Sequence, residues 1–194
     1  MKLHCLIQLL ISALILLGLI FNIRNSRLFN FYDHLLQHKL VKNRDGKIWK
    51  VITVLNEPKV IVVWDFLLAG LLVLFHHPLL ALWSLGTLAV TDAVGIFLKH
   101  SVKRKRPLSM RTYRDGYSFP SGHVLSATIM SLMLWQIFGH IMGIWLLITL
   151  IIAWGLVVVS RLNMRAHYPS DVLGATTLAL FCFTIAQQLL GLAF

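Results

Sequence analysis

The stretch IMGIWLLITLIIAWGLVVV, residues 141–159, contains no Lys, Arg, Asp or Glu. Residues 3–23, LHCLIQLLISALILLGLIFNI, form a second run without these charged residues. About 20 consecutive apolar residues allow an α-helix to cross the hydrocarbon core of a bilayer. The two runs therefore predict a helical protein that spans a membrane.

The composition of the whole chain also favours a membrane protein over a soluble one. Of its 194 residues, 58% are hydrophobic and only 13% are charged, whereas soluble domains average about 25% charged residues. The formal net charge is +11, but the basic residues are concentrated in a few polar segments. We therefore expect membrane lipids and a phosphate substrate as partners, and no nucleic acid. Cys5 and Cys182 lie in apolar runs and predict neither a disulfide framework nor a metal site.

We predict an all-α, polytopic membrane protein in which residues 1–194 form a single domain with six transmembrane helices. The predicted spans are 3–23, 60–75, 79–98, 121–138, 141–159 and 171–193. Short turns at 76–78 and 139–140 favour antiparallel neighbours. The first run is interpreted as a span and not as a cleaved signal peptide, because it is long for a signal and no small-x-small cleavage pattern follows it.

Residues 24–59 form an extramembrane or interfacial segment between the first two spans. Within it, apolar residues recur at helix-like spacing from Ile48 to Leu55, beside Lys47 and Lys50. This pattern is typical of a helix that lies in the membrane interface. A loop with a few apolar anchors fits the same residues.

Six spans would place the polar segments 24–59, 99–120 and 160–170 on one face of the membrane. The N-terminus, both short turns and the C-terminus would lie on the other face. We therefore expect a site formed by loops and helix ends on one membrane face, within the motif region 99–171.

Lys99 and Arg106, with Pro107 after it, supply cations to that face. The planar guanidinium of arginine suits phosphate oxygens, while lysine acts as a point charge. Between them lies the basic run KRK at 103–105, which we interpret as a patch that attracts anionic lipid. Binding of a second substrate phosphate is the alternative.

The segment PSGH, residues 120–123, begins the fourth predicted span. Serine, here Ser121, is a favoured N-cap residue, and Gly122 lets the backbone approach a ligand closely. The first N–H groups of a helix lack partners within it and bind phosphate, aided by the helix dipole. His123 would point from the first turn into the same space. The alternative is a plain capped helix with an interfacial histidine.

Ser160 and Arg161 end the fifth predicted span, and His167 and Asp171 lie at the start of the sixth. Because Asp171 follows His167 by about one helical turn, its carboxylate can accept one imidazole N–H and leave the other nitrogen as a nucleophile. The alternative is that Asp171 only stabilises the N-terminus of its own helix.

The seven acidic residues are scattered along the chain. A two-metal phosphatase needs a cluster of carboxylates to hold its cations, so we predict no metal site and no cofactor. Asp92 lies two turns before Lys99 on the third predicted span, and we expect these two residues to pair.

Taken together, these motifs resemble the type 2 phosphatidic acid phosphatase family, which shares its site with the vanadium haloperoxidases. The family pattern is Lys, six residues, Arg-Pro; then Pro-Ser-Gly-His; then Ser-Arg, five residues, His, three residues, Asp. Every fixed position is present here in the same order. The matching residues are Lys99, Arg106, Pro107, Pro120, Ser121, Gly122, His123, Ser160, Arg161, His167 and Asp171.

The resemblance implies a role for each of these residues. His167 would be the nucleophile and form a phosphohistidine, with Asp171 orienting and activating it. His123 would protonate the leaving group and then activate water. The implied substrate phosphate-binding residues are Lys99, Arg106, Ser121, Gly122 and Arg161.

The implied activity is metal-independent hydrolysis of a lipid phosphate or diphosphate in a bacterial inner membrane. Substrates in the bacterial branch include undecaprenyl diphosphate, phosphatidylglycerophosphate and phosphatidic acid. A phosphotransferase that moves the phosphate to another lipid would use the same motifs. A non-catalytic membrane scaffold is the alternative of a different class, and the motifs leave the oligomeric state open.

The membrane orientation receives two opposite indications. Only Lys2 among the 18 Lys and Arg residues lies on the face opposite the motifs, and the positive-inside rule would then place the motifs in the cytoplasm. The resemblance implies a site that faces away from the cytoplasm. We expect this extracytoplasmic placement, because the basic loops also serve an anionic substrate.

Overall fold

The computed structural model describes residues 3–40, 47–107 and 116–193, and every regular element in those ranges is an α-helix. The all-α prediction is therefore confirmed. The helices are α1 (Leu3–Asn25), α2 (Arg27–Leu40), α3 (Lys47–Leu55), α4 (Pro58–Leu74), α5 (Pro78–Val102), α6 (Gly122–Asn163) and α7 (Pro169–Ala193).

Four of the described helices, α1, α5, α6 and α7, are long and apolar enough to cross a membrane. Their outer surfaces carry large apolar side chains such as Leu10, Ile144 and Trp145, all more than half exposed. An exposed apolar surface of this extent is expected where lipid is the solvent. The chain is an integral membrane protein. Helix α4 is apolar as well, but it contains only 17 residues.

Helix α6 includes the predicted fourth and fifth spans in one element of 42 residues. The predicted turn at 139–140 is wrong, because both residues are helical and the backbone leaves helical geometry at Gly143, with φ 57° and ψ −146°. Glycine adopts positive φ at little cost because it has no Cβ. The Trp154 indole N–H donates to Thr128 Oγ1 at 3.0 Å. In a straight helix these residues would be about 39 Å apart, so α6 folds back on itself at Gly143.

The segment between α1 and α4 contains two helices where the sequence indicated one. Helix α3 coincides with the predicted helix-like spacing, so the loop alternative is wrong. Helix α2 was not predicted, because its buried residues, Asp33 and Gln37, are polar. They lie four residues apart on one helical face, and an apolar periodicity cannot reveal such a face.

The ends of α5 and α6 and the starts of α6 and α7 meet at one end of the bundle. The backbone N–H of Ser121 donates to the Asp171 carbonyl at 3.2 Å, which joins the first residues of α6 and α7. The Ser118 N–H donates to the Arg104 carbonyl at 2.8 Å and closes the loop after α5. The predicted convergence of the motif segments is therefore present.

Candidate active site

His167 lies just before α7 and is almost completely buried, with 2% of its surface exposed. Its Nδ1 is 2.9 Å from the Ser118 carbonyl oxygen. A carbonyl only accepts hydrogen bonds, so Nδ1 carries the proton in this arrangement. In the neutral ring, Nε2 then keeps its lone pair, and it lies 3.5 Å from Arg106 Nη1.

Burial is the main cause of a lowered pKa for His167, because the charged imidazolium is disfavoured away from water. Asp171 opposes this effect, while Arg106 and Lys99 add to it. The net direction is downward from the usual value of 6.5. The neutral, nucleophilic form of the ring is therefore favoured near pH 7.

Asp171 is completely buried in the first turn of α7. Its Oδ2 accepts the Tyr168 backbone N–H at 2.9 Å and lies 3.6 Å from His167 Nδ1. The Ser118 carbonyl is thus a nearer acceptor for Nδ1 than Asp171 is. The predicted carboxylate–imidazole pair is present, with the carboxylate just outside hydrogen-bond distance.

Arg104 is 9% exposed, and the interpretation of the whole run 103–105 as a lipid-binding patch is wrong for this residue. Its guanidinium pairs with Asp33 Oδ2 at 2.7 Å and with Asp171 Oδ1 at 2.8 Å. It also lies over the Tyr168 ring, 4.1 Å from the centroid. Its neighbours Lys103 and Lys105 are exposed, so only they remain available to bind lipid.

Arg106 is held by backbone carbonyls on two segments. Its Nη1 donates to Ala166 O at 3.1 Å, and its Nε donates to Gly116 O at 3.3 Å. These bonds place a guanidinium beside the nitrogen of His167 that keeps its lone pair. An anion approaching that nitrogen would meet this cation.

Lys99 lies in the last turn of α5, next to the start of α6. A Cβ added at Gly122 would lie 3.8 Å from Lys99 Nζ, so the ammonium group is close to the α6 N-terminus. Lys99, Gly122 and Asp92 line the same cavity of about 130 Å³. Asp92 Oδ1 accepts the Ser126 hydroxyl at 2.9 Å, and the Asp92 carboxylate also interacts electrostatically with Lys99, which supports the predicted pairing.

The PSGH segment follows a cis peptide bond between Phe119 and Pro120 and leads into α6. Ser121 holds the N-cap position, but its side chain makes no capping hydrogen bond. Its Oγ is buried and has no hydrogen-bond partner within 3–40, 47–107 and 116–193. His123 is buried in the first turn that follows. The Ser121 side chain therefore does not cap α6, which favours a role in phosphate binding over the alternative of a plain helix cap.

Arg161 is 2% exposed near the end of α6. Its Nη2 donates to Thr53 Oγ1 on α3 and lies 3.3 Å from Met164 Sδ. These contacts attach α3 to the end of α6. They place Arg161 on the α3 side of the motif cluster.

Besides Arg104, three neighbours of the site are not predicted from the sequence: Gln37, Asp33 and Ser118. The Gln37 amide donates to the His167 carbonyl oxygen at 2.9 Å, and Asp33 accepts both the backbone N–H and the hydroxyl of Ser170. Ser118 contributes its carbonyl to His167. Asp33 and Gln37 are polar residues four apart in the sequence, and this spacing was the available signal for them. The Ser118 contribution is a backbone carbonyl, which no residue type indicates.

The cluster combines a neutral imidazole, a buried carboxylate behind it and cations in front of it. Such an arrangement suits nucleophilic attack on an anionic phosphorus centre. Among the described residues, no group of three or more His, Cys, Asp and Glu side chains is arranged to hold a metal ion.

Comparisons with known proteins agree with this geometry. A family model described as the PAP2 superfamily matches residues 80–192. The fold is similar to a solved structure described as the first transmembrane PAP2 type phosphatidylglycerolphosphate phosphatase, from Bacillus subtilis. The TM-score is 0.84 at 20% sequence identity, covering 95% of this chain and 96% of that chain. Curated protein sequences give no significant match.

Proposed function

The chain belongs to the PAP2 superfamily and is a membrane phosphatase, and on that premise we propose that it hydrolyses a lipid phosphate or diphosphate through a phosphohistidine on His167, without a metal ion. The predicted family resemblance is confirmed by the match over residues 80–192. The observation that carries the mechanism is the orientation of His167, whose Nδ1 faces the Ser118 carbonyl while Nε2 faces Arg106.

The reaction has two steps. In the first, the Nε2 lone pair of His167 forms a bond to phosphorus, the bond from phosphorus to the leaving oxygen breaks, and His123 donates a proton to that oxygen. In the second, His123 takes a proton from water, the water oxygen bonds to phosphorus, and the N–P bond breaks. Asp171 stabilises the positive charge that the ring carries while it is phosphorylated.

The substrate phosphate lies between His167 and the N-terminus of α6. The first N–H groups of α6 and the Ser121 hydroxyl donate to its oxygens, and Lys99 and Arg106 compensate its charge. The proposed phosphate-binding residues are Lys99, Arg106, Ser121, Gly122 and Arg161. The presence of a phosphate site at the level of helix ends fits a lipid whose headgroup lies at the membrane surface.

Six membrane crossings are part of this proposal. The fold-back at Gly143 divides α6 into two halves of about 20 residues, each long enough to span the bilayer. The 17-residue α4 spans about 26 Å, which is sufficient in a slightly thinned bilayer. Together with α1, α5 and α7 these segments make six.

The site faces away from the cytoplasm in this proposal. Cysteines introduced at His77 and Lys105, which are both exposed and flank the two ends of α5, test it in a background lacking Cys5 and Cys182. An impermeant thiol reagent added outside intact cells should label Lys105→Cys and not His77→Cys. The reverse pattern would place the site in the cytoplasm.

The central experiment follows phosphate from a labelled lipid in detergent. Wild-type protein quenched during turnover should carry acid-labile label on a histidine and release free phosphate in the presence of a chelator. His167→Ala should form no phosphoprotein and lose activity by at least about 10³-fold, as expected for a lost nucleophile. His140→Asn, at an exposed histidine near the middle of α6, is the matched control.

Two other outcomes would contradict the proposal. Unchanged phosphate release by His167→Ala would exclude the phosphohistidine. Label that passes to an added lipid acceptor with little free phosphate would identify a transferase. A panel of phosphatidylglycerol phosphate, on which the Bacillus subtilis protein acts by its description, with phosphatidic acid and undecaprenyl diphosphate, would select the substrate.

A further inference from the structure

We propose that Arg104 and Asp33 form a positioning pair that holds Asp171 behind His167, so that helix α2 is part of the catalytic machinery. Neither residue has a role in the motif pattern, and Asp33 precedes the residues 80–192 that the family model matches. The inference rests on the proposed role of His167 as nucleophile.

The first argument is the geometry of the Arg104 guanidinium. One of its nitrogens, Nη1, donates to Asp171 Oδ1 at 2.8 Å and to Ser170 Oγ at 2.6 Å. The other, Nη2, donates to Asp33 Oδ2 at 2.7 Å and to Asn30 Oδ1 at 3.1 Å. The planar fork of arginine thus joins α2 to α7 and fixes both helices relative to the loop after α5.

The second argument is that both oxygens of Asp171 are held. Oδ1 accepts from Arg104, and Oδ2 accepts from the Tyr168 backbone N–H. With both oxygens occupied, the carboxylate cannot turn freely toward His167, and Oδ2 stays 3.6 Å from Nδ1. The Gln37 amide holds the His167 carbonyl from the same helix α2. Helix α2 therefore helps to position both Asp171 and His167.

The third argument is charge balance in a buried place. Arg104, Asp33 and Asp171 are all at most 9% exposed, and an uncompensated charge at such a depth is costly. Arg104 shares its charge between two carboxylates. The pairing with Arg104 partly compensates the charge of Asp171 and weakens its hold on an imidazolium, so that His167 stays neutral until it attacks phosphorus. The pairing of Arg104 with Asp33 limits this compensation.

The charged groups around His167 come from several elements. Asp171 faces it from α7, Lys99 from the end of α5, and Arg106 from the loop that follows; α2 contributes the uncharged Gln37. The Arg104 guanidinium pairs with Asp171, which in turn lies beside His167, so the direction in which each charge change acts on His167 is predictable.

The two members of the positioning pair should shift the pH dependence in opposite directions. Arg104→Gln frees Asp171 to pair with the imidazolium, which raises the pKa of His167, so the acid limb of kcat should move to higher pH. Asp33→Asn leaves Arg104 to pair with Asp171 alone, which weakens the attraction of Asp171 for the His167 imidazolium. The pKa of His167 then falls, so the acid limb of kcat should move to lower pH. Each displacement should be about half a pH unit.

The experiment measures kcat, KM and phosphoprotein formation against pH for both variants in detergent. We expect kcat of Arg104→Gln to fall at least about tenfold while KM changes by less than about threefold, since a positioning residue does not touch substrate. Arg104→Lys, which keeps the charge, should keep the position of the limb. Arg27→Gln makes the same change at an exposed arginine of α2 and should leave all three quantities unchanged.

Several results would overturn the inference. An acid limb that does not move in either variant would show that the pair is only structural, and a rise in KM with unchanged kcat would make Arg104 a substrate-binding residue. If Arg104→Gln does not fold, the isosteric Asp33→Asn still tests the expected displacement to lower pH. An inactive His167→Ala together with unmoved limbs would reject this inference alone, whereas an active His167→Ala would reject the proposed function and the inference with it.

Discussion

Arg104 and Arg106 lie two residues apart in one loop, yet they face opposite sides of the His167–Asp171 pair. On the support side, Arg104 is enclosed by the carboxylates of Asp33 and Asp171. On the Nε2 side, Arg106 is anchored by backbone carbonyls and faces His167 Nε2. The charge of Arg104 is therefore balanced by buried carboxylates that it holds in place, whereas Arg106 lies where an anion approaching His167 Nε2 would meet it.

The largest effect is expected at Arg106, on the Nε2 side of His167. Arg106→Ala should lower kcat/KM by about 10²- to 10³-fold, the loss typical of removing one donor to a charged transition state. The measurement is lipid phosphate hydrolysis in detergent, with Arg27→Ala as the control at an exposed arginine. Activity within threefold of wild type would mean that Arg106 does not contact the phosphate.

A second prediction separates substrate binding from helix capping at Ser121. Because its side chain makes no capping bond, Ser121→Ala should lower kcat/KM by about tenfold, the loss of one hydrogen bond of about 1.4 kcal/mol. The thermal midpoint should not fall, whereas loss of a true N-cap costs about 0.5–2 kcal/mol. A lowered midpoint with unchanged kcat/KM would restore the plain cap reading.

The smallest effect concerns pH. The proposed attack requires neutral His167, and burial lowers the pKa of this residue below its usual value of 6.5. Activity should therefore persist at pH 6.5 and decline only as the pH falls through the lowered pKa. Between this lowered pKa and pH 6.5, His167 binds a proton in the unfolded chain but not in the folded chain. The free energy of unfolding therefore carries no penalty from His167 well above pH 6.5 and decreases as the pH falls below it. The acid limb of single-turnover phosphoprotein formation measures the first effect, and a midpoint above 6.5 would contradict it.

Much of the site was predictable because its chemistry is local in sequence. His167 and Asp171 are one helical turn apart, and the PSGH segment carries its own helix start, so short-range patterns were sufficient to find them. Arg104 was misinterpreted for the opposite reason. Its partners, Asp33 and Asp171, are 71 and 67 residues away, and a basic run in a sequence does not show which of its members is buried.

The fold was predictable to the same degree. The apolar runs predicted α1, α5 and α7, since hydrophobic length alone determines whether a helix can span a bilayer. The position of the fold-back within α6 was missed, because either Gly139 or Gly143 can adopt positive φ and the sequence does not show which of them does. Helix α2 was missed because its buried side is joined by hydrogen bonds and an ion pair instead of apolar contact.

The sequence was sufficient to predict a helical membrane protein with the complete set of motif residues, and to predict that these residues meet at one end of the bundle. The fold was needed to show which imidazole nitrogen of His167 faces Arg106, which of two neighbouring arginines pairs with Asp171, and that α2 contacts His167 through Gln37. The physical reason is that residue type specifies the chemistry a side chain is capable of, whereas burial and distant partners determine which part of that chemistry is available.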